Sequence, residues 1–461
     1  MALDTIFVAR ILKTWWPLAA SWLLMSAEAL AISAIVARLA NPEINLAAYG
    51  GLVFPIAVLI ESPIMMLLAA STALSKDLAS YRKLRSFTLC LCIGLSVIYA
   101  LIAFTPLYYV VAAVVMHAPP EIVAPGRVGL MIMLPWTFVI AYRRFNQGVL
   151  IRFGYSLDVG LGTLVRLLAD GGMLAFGYIT GLLPGIALAA GTATIGAVCE
   201  LIYIAIRVRP VLRKHLKAAP SCNEGLTFPA IVGFYFPLSL MSSMLYVMRP
   251  IMSAGISRMP EALGSLAVLP VATGIVSLLR SIGASYNEVV VVLLDQPGSS
   301  RNLHRFALFL IGLVSVALLL VVLTPFAVFW FARLSGLSAS LARLGRISLC
   351  FAIALPALSV LQGWLQGTII HSGRTRSISE AILIYSGVTG AVLAGGIAWG
   401  NMAGLYVGFL AMSLGELART LWLWWRSRAA RRTLCQRDTA GANHRLMQQM
   451  SFPGHRPTTN T

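Results

Sequence analysis

The sequence predicts an all-α polytopic membrane protein with twelve transmembrane helices in two six-helix lobes, related by a pseudo-two-fold axis along the membrane normal. Three observations carry this. First, 59% of the 461 residues are hydrophobic and only 11% are charged, with a mean hydropathy of +0.84. A soluble domain carries about 25% charged residues, so this chain has too few charges to cover a soluble core. Second, the apolar residues fall into runs of about 20, the length that crosses a bilayer. Third, the chain repeats itself at a nearly constant offset of 219 residues.

The twelve runs lie at 15–37, 46–75, 87–116, 123–146, 158–180, 184–206, 229–256, 263–292, 306–332, 344–370, 378–399 and 403–425. Arg10 and Lys13 precede the first, with no small-residue cleavage site, so a first span is expected there and not a signal peptide. The loops then alternate in charge. Lys76, Arg82, Lys83 and Arg85 follow the second run, and Arg143, Arg144 and Arg152 surround the turn after the fourth. Arg207, Arg209, Arg213, Lys214 and Lys217 follow the sixth. Arg301 and Arg305 follow the eighth, Arg374 and Arg376 the tenth, and Arg426, Arg428, Arg431 and Arg432 the twelfth. The intervening loops are poor in charge, except for Arg333, Arg343 and Arg346 between the ninth and tenth runs. The positive-inside rule then places both termini in the cytoplasm, in a cell inner (plasma) membrane. Residues 1–206 form the N-terminal lobe, 207–226 a basic cytoplasmic linker, 227–426 the C-terminal lobe and 427–461 a basic, polar tail expected to be disordered. The net charge of +19 is thus a topology signal, and no nucleic-acid partner is expected.

The repeat is visible residue by residue. Arg82, Leu84 and Phe87 recur as Arg301, Leu303 and Phe306. Gln147, Gly148, Ile151 and Gly154 recur as Gln366, Gly367, Ile370 and Gly373. Gly171, Leu174, Gly185 and Gly196 recur as Gly390, Leu393, Gly404 and Gly415. In the first run the offset is 220, and Pro17, Ser33, Ala34 and Arg38 recur as Pro237, Ser253, Ala254 and Arg258. Six runs per repeat is an even number, so both lobes enter the membrane with the same orientation and leave a cleft between them.

Ionisable groups at bilayer depth are costly and face a cavity or a partner. The candidates are Glu28, Glu61, Arg166, Asp170, Glu200, Arg249, Arg280, Glu416 and Arg419. Arg166–Asp170 and Glu416–Arg419 have i,i+4 and i,i+3 spacing and read as structural ion pairs. Glu200 lies toward the cytoplasmic end of its run, where headgroups are in reach. Under the repeat Glu61 maps onto Arg280, and Glu28 maps next to Arg249, so these four are expected to face one another across the cleft. The arginines suit bidentate anion binding. The glutamates suit gating or coupling to H+ or Na+. A salt bridge that locks one state is the structural alternative. Pro63 and Pro250 read as helix breaks beside Glu61 and Arg249, as do Pro55, Pro237, Pro270 and Pro356 in their own runs. Trp422, Trp424 and Trp425 read as an interface belt.

No phosphate-binding glycine loop, zinc-protease motif or nucleophile elbow occurs. The six cysteines have neither metal-ligand spacing nor a disulfide framework. No metal, cofactor or enzymatic activity is expected. The partners expected are a small-molecule substrate, H+ or Na+, and the lipid bilayer, with the protein a monomer.

Five stretches carry a family resemblance: WWPLAASWLLMSAEAL (15–30), AAYG (47–50), GVLIRFGYSLDVG (148–160), FPLSLMSSMLYVMRPIMS (236–253) and LQGWLQG (361–367). The chain resembles the MATE-like multidrug/oligosaccharidyl-lipid/polysaccharide exporter superfamily. Within it, the chain is most similar to the progressive ankylosis (ANK) transporter family, whose animal members have a long acidic tail that this chain lacks. The resemblance implies two rocking lobes around a central cavity. It also implies export of an anion such as citrate- or pyrophosphate-like compounds, with Arg249 carried over in RPI and Glu28 at an acidic position of the first span. Drug–cation antiport through Glu28 and Glu61 is the alternative function, and flipping of a lipid-linked sugar is the third.

Overall fold

The computed structural model describes residues 5–216, 227–294, 299–372, 376–434 and 436–438. Residues 217–226 of the expected linker and 439–461 of the expected tail lie outside them, with Cys222 and Cys435. The described chain is all helix and turn: α1 Thr5–Val36, α2 Pro42–Leu74, α3 Leu78–Phe104, α4 Pro120–Ile132, α5 Leu134–Arg152, α6 Ser156–Thr180 and α7 Gly185–Leu216. After these come α8 Phe228–Ser257, α9 Ala262–Leu293, α10 Ser299–Leu323, α11 Ala339–Phe351, α12 Ala354–His371, α13 Arg376–Trp399 and α14 Gly404–Arg426. Among the described residues, eight helices are long and apolar enough to cross a membrane. There are ten if the bent pairs α4–α5 (43°) and α11–α12 (41°) each count as one span. This is a multi-pass membrane fold. α14 falls outside that set and carries Glu416, Arg419 and Arg426.

The linker begins later than the sequence suggests. Residues 207–216 continue α7 as helix, because Val208, Val211 and Leu216 are buried and hold that turn against the bundle. Arg143 and Arg144 also move: they lie inside α5, nine and eight residues before its end at Arg152, and not in a loop. At 1.5 Å per residue that is roughly 13 Å into the bundle.

The breaks in the helices fall beside the prolines. α2 is interrupted by a π turn at Ala48–Val53 and a tight 3-10 turn at Ser62–Met66, which contains Pro63. α8 breaks at the single residue Val247, just before Met248, Arg249 and Pro250. A ring without an N–H removes one helix hydrogen bond, and such breaks are tolerated where the freed groups face protein or a cavity.

The repeat reappears in the hydrogen bonds. Arg127 Nε donates to Ala103 O at 3.1 Å, and Arg346 Nε to Val322 O at 3.3 Å. Ile186 N donates to Asn45 Oδ1 at 3.0 Å, and Leu405 N to Ser265 Oγ at 3.2 Å. Thr105 Oγ1 donates to Leu101 O at 2.5 Å, and Thr324 Oγ1 to Leu320 O at 2.6 Å. Even the left-handed residues match: Asn41 (φ 50°) with Glu261 (55°), and His117 (50°) with Gly336 (64°).

The two halves are tied at both ends. At the end that the charge bias assigns to the outside, Arg38 donates to Arg333 O at 2.8 Å, and Arg258 to Val115 O at 2.8 Å. At the other end, the start of each half's first helix packs on the other half. Trp15 meets Phe306 edge-on at 5.9 Å, and Tyr235 meets Phe87 edge-on at 5.2 Å. These are the same two positions of the repeat with the halves exchanged.

Candidate functional site

Among the described residues the intramembrane charges collect into two ion-pair clusters, with Glu61, Arg144 and Arg249 outside both. The first cluster lies in the first half. Arg166 of α6 is 2.6 Å from Glu28 of α1, 3.7 Å from Asp170 and 4.0 Å from Glu200 of α7. Glu200 is also paired with Arg143 and accepts from Gln147 Nε2 at 3.0 Å. Asp170 lies directly over Gly196, where any Cβ would collide with its carboxylate, so α6 and α7 approach closely there. Three carboxylates share two guanidiniums, and burial keeps them together because each lone charge would cost several kcal/mol.

Glu200 is 1% exposed, so it does not reach toward headgroups as its position suggested. The reason is Arg143 on α5, which binds it inside the protein. Glu28 does not face Arg249 either. α1 turns this side chain toward α6, where Arg166 neutralises it.

Glu61 lies at the end of the α2 segment Phe54–Glu61 and is 0% exposed. Among the described residues neither carboxyl oxygen has a hydrogen-bond partner, and the nearby Tyr99 hydroxyl is also unpartnered. Arg143, Arg144 and Arg166 act on Glu61 only at longer range. Arg280 is not its partner. On α9, Arg280 pairs with Glu416 of α14 at 2.5 Å. Glu416 is also 3.4 Å from Arg419 and accepts from Gln362 Nε2 at 2.8 Å. This is the second cluster, and here two guanidiniums share one carboxylate. The two i,i+3 and i,i+4 pairs read from the sequence are therefore present, but in each network the arginine or carboxylate concerned has a closer partner on another helix.

Arg249 stands apart from both clusters. Its guanidinium lies 5.5 Å from the Phe54 ring of the first half and 6.0 Å from Tyr246. It makes no ion pair among the described residues. Its side chain is exposed, yet protein surrounds it, with Tyr246, Tyr385 and Arg280 close enough to act on it electrostatically. The break at Val247 sets the direction in which Arg249 points. Ser62 Oγ donates to Ser243 Oγ at 3.0 Å across the two halves one turn away.

Sequence reasoning missed Arg144. Its closest polar contact is Met65 Sδ at 3.8 Å, its Nε is unpartnered, and it has no ion pair among the described residues. The polar run Arg143–Arg144–Asn146–Gln147 within an apolar stretch was the signal available. A short loop there would not need Asn146 and Gln147 buried, as they are.

No protein-family model and no curated protein sequence matches the chain. Solved structures do match. An inward-facing multidrug resistance MATE family transporter of the MOP superfamily aligns with a TM-score of 0.67 at 17% identity, over 90% of this chain and 96% of that one. A MOP superfamily transporter from Pyrococcus furiosus, noted for the reverse polarity of its binding pocket, aligns at 0.56 and 17% identity, over 91% and 96%. The lipid II flippase MurJ, in an inward closed conformation, aligns at 0.57 and 12% identity, over 98% and 94%. These likenesses support the MATE/MOP fold generally and do not single out the progressive ankylosis family. The chain has an all-α polytopic membrane fold of the MATE/MOP type.

Proposed function

We propose that the protein is a secondary active transporter that works by alternating access and exports an organic or inorganic anion. The observation that carries this is Arg249: an exposed guanidinium between the ring of Phe54 in the first half and Tyr246 in the second, with no carboxylate partner among the described residues. An unpaired charge at this depth is costly, and a substrate anion binding bidentately removes that cost. Arg280 joins as a second anion contact when Glu416 passes to Arg419, which already lies 3.4 Å from the same carboxylate. Glu28 and Glu61 couple the cycle to H+ or Na+ or gate the cleft. Twelve spans in two lobes, with both termini in the cytoplasm, form the frame of the cycle.

The test is efflux of citrate or pyrophosphate from proteoliposomes. Arg249→Ala should abolish it, and Arg249→Lys should keep a fraction, because a point charge remains but the planar fork is lost. Efflux unchanged in Arg249→Ala overturns the anion reading.

The second reading is proton- or sodium-coupled antiport of a cationic drug or metabolite. It is favoured by the surplus of carboxylates in the first half and by the likeness to a multidrug transporter. Dye efflux that is lost in Glu28→Gln and Glu61→Gln, but retained in Arg249→Ala, would establish it instead.

A further inference from the structure

Two arginines tie the halves together at the end that the charge bias assigns to the outside, and the repeat makes them counterparts. Arg38 donates to Ala34 O one turn back and, at 2.8 Å, to Arg333 O of the second half. Arg258 donates to Ala254 O at 2.7 Å and, at 2.8 Å, to Val115 O of the first half. The Arg258 tie has one contact more: its guanidinium lies 2.9 Å from His117 Nδ1. At the position equivalent to His117 the other tie has Gly336.

The turn does not need a side chain there. His117 and Gly336 both have left-handed backbone, with φ of 50° and 64°. Glycine takes that conformation freely, whereas a Cβ makes it costly. A Cβ on Gly336 would also lie 3.2 Å from Ala37 O and 3.3 Å from Arg38 Cγ, so that tie leaves little room for one. What the imidazole adds at the Arg258 tie is the bond to Arg258. A guanidinium only donates, so Nδ1 must accept and the ring must be neutral, with its proton on Nε2. A protonated ring carries N–H on both nitrogens. It cannot accept, and it sets one cation against another. Arginine keeps its charge, and histidine is the side chain that changes charge between about pH 5 and 8.

Both groups are exposed, so protons reach them directly. The other charges at this end are engaged elsewhere or stand apart. Arg127 donates to Ala103 O, Phe104 O and the Tyr109 hydroxyl. Glu261 and Arg343 act on Tyr406, and Glu43 lies over Gly264 of α9. Glu121, four residues beyond His117 on α4, forms no ion pair among the described residues. None of these carboxylates bonds to His117 or Arg258 among the described residues, so none offsets a charge on the imidazole.

We propose that His117 is a pH-sensitive catch on one of the two ties between the halves. Neutral, it helps Arg258 hold this end closed. Protonated, it releases Arg258, and this side of the end parts. The tie is whole above the imidazole's titration range and weakened as pH falls through it. The catch does not depend on what the protein transports.

The test measures distances between spin-label pairs by double electron–electron resonance in the full chain, its own cysteines replaced, in detergent. Labels at Glu121 and Pro260 span the His117 tie. Labels at Ser340 and Ala40, their repeat counterparts, span the other, and all four positions are exposed. Between about pH 8 and about pH 5 the ratio of long to short distances should rise by about tenfold for the first pair, the effect of losing one hydrogen bond to a charged group. The second pair should not change. His117→Asn keeps an acceptor in the place of Nδ1, tolerates the left-handed backbone and cannot take a proton, so the first pair should become indifferent to pH. The comparison of the two pairs needs no variant at position 117, so it stands even where that variant does not fold. A first pair that ignores pH, an equal response of both pairs, or an unchanged response in His117→Asn overturns the proposal.

Discussion

The first and second halves share their backbone hydrogen bonds and differ in their buried charges. Arg127 and Arg346 cap the same carbonyl position, and Arg38 and Arg258 cross to the opposite half in the same way. Yet Glu61 stands where the second half has Arg280, Asp170 where it has Thr389, Glu200 where it has Arg419, and Arg143 where it has Gln362. The scaffold repeats because backbone geometry and small residues recur. The chemistry does not repeat, because a charge needs only a partner within reach, and each half solved that with different residues. The result is a cluster with a surplus of carboxylates in the first half and one with a surplus of guanidiniums in the second, each closed within its own half, with Arg249 outside both.

The largest expected break of this comparison is between Arg143 and its counterpart Gln362. Arg143→Ala leaves the buried Glu200 without its closest cation and should cost about 3–5 kcal/mol. Gln362→Ala removes hydrogen bonds to Glu416 but leaves both of its arginines, so about 1–2 kcal/mol is expected. Thermal unfolding in detergent ranks the two, and equal losses would refute the difference in how the clusters are held.

Helix crossings should behave alike in both halves. A Cβ on Gly148 would lie 2.5 Å from Leu68 O, and one on Gly283 would lie 2.5 Å from Ser359 C and Val360 N. Both neighbours are backbone and cannot rotate away. Gly148→Val and Gly283→Val should therefore each cost about 1–3 kcal/mol, or block folding altogether. A well-tolerated variant at either site would show that its own crossing can shift.

The crossing arginines give a smaller and conformational effect. Arg38→Ala and Arg258→Ala each remove hydrogen bonds between the halves, about 1–2 kcal/mol. Each should widen the distance between spin labels placed at that end, and the double variant should widen it further. No change in the distance distribution would mean that the ties do not hold that end closed.

Smallest of all is Glu61→Gln, which replaces a buried carboxyl that has no hydrogen-bond partner among the described residues. Stability should stay level or rise by up to about 1 kcal/mol, whereas Arg280→Gln should lower it, because Glu416 loses its closest cation. The opposite signs at one repeat position make this the sharpest test of the difference between the halves. A large loss in Glu61→Gln would mean that the carboxylate has a partner in the membrane-embedded state.

Much of the fold was legible. The apolar runs marked the helices, and residues such as Gly196 and Gly415, or Arg38 and Arg258, marked the repeat at fixed spacing. Pro63 and Pro250 marked the breaks in α2 and α8 to within a few residues. The candidate site was legible only as a set of residue types. Glu28, Glu61, Arg249 and Arg280 were visible as charges within apolar runs, but their partners were not.

The sequence by itself determined the membrane class, the helix content, the repeat and most of the charges that lie within the helices, Arg143 and Arg144 excepted. Each follows from local composition or from spacing along the chain, and local rules suffice for them. Only the tertiary structure decided that Arg166 takes Glu28, that Glu416 takes Arg280, that Arg143 reaches Glu200, and that Arg249 is left with two aromatic rings. Pairing depends on which helices are neighbours and on the rotation of each about its axis. A turn of one residue swings a side chain by about 100°, and no pattern in a single strand of sequence records which neighbour it then meets.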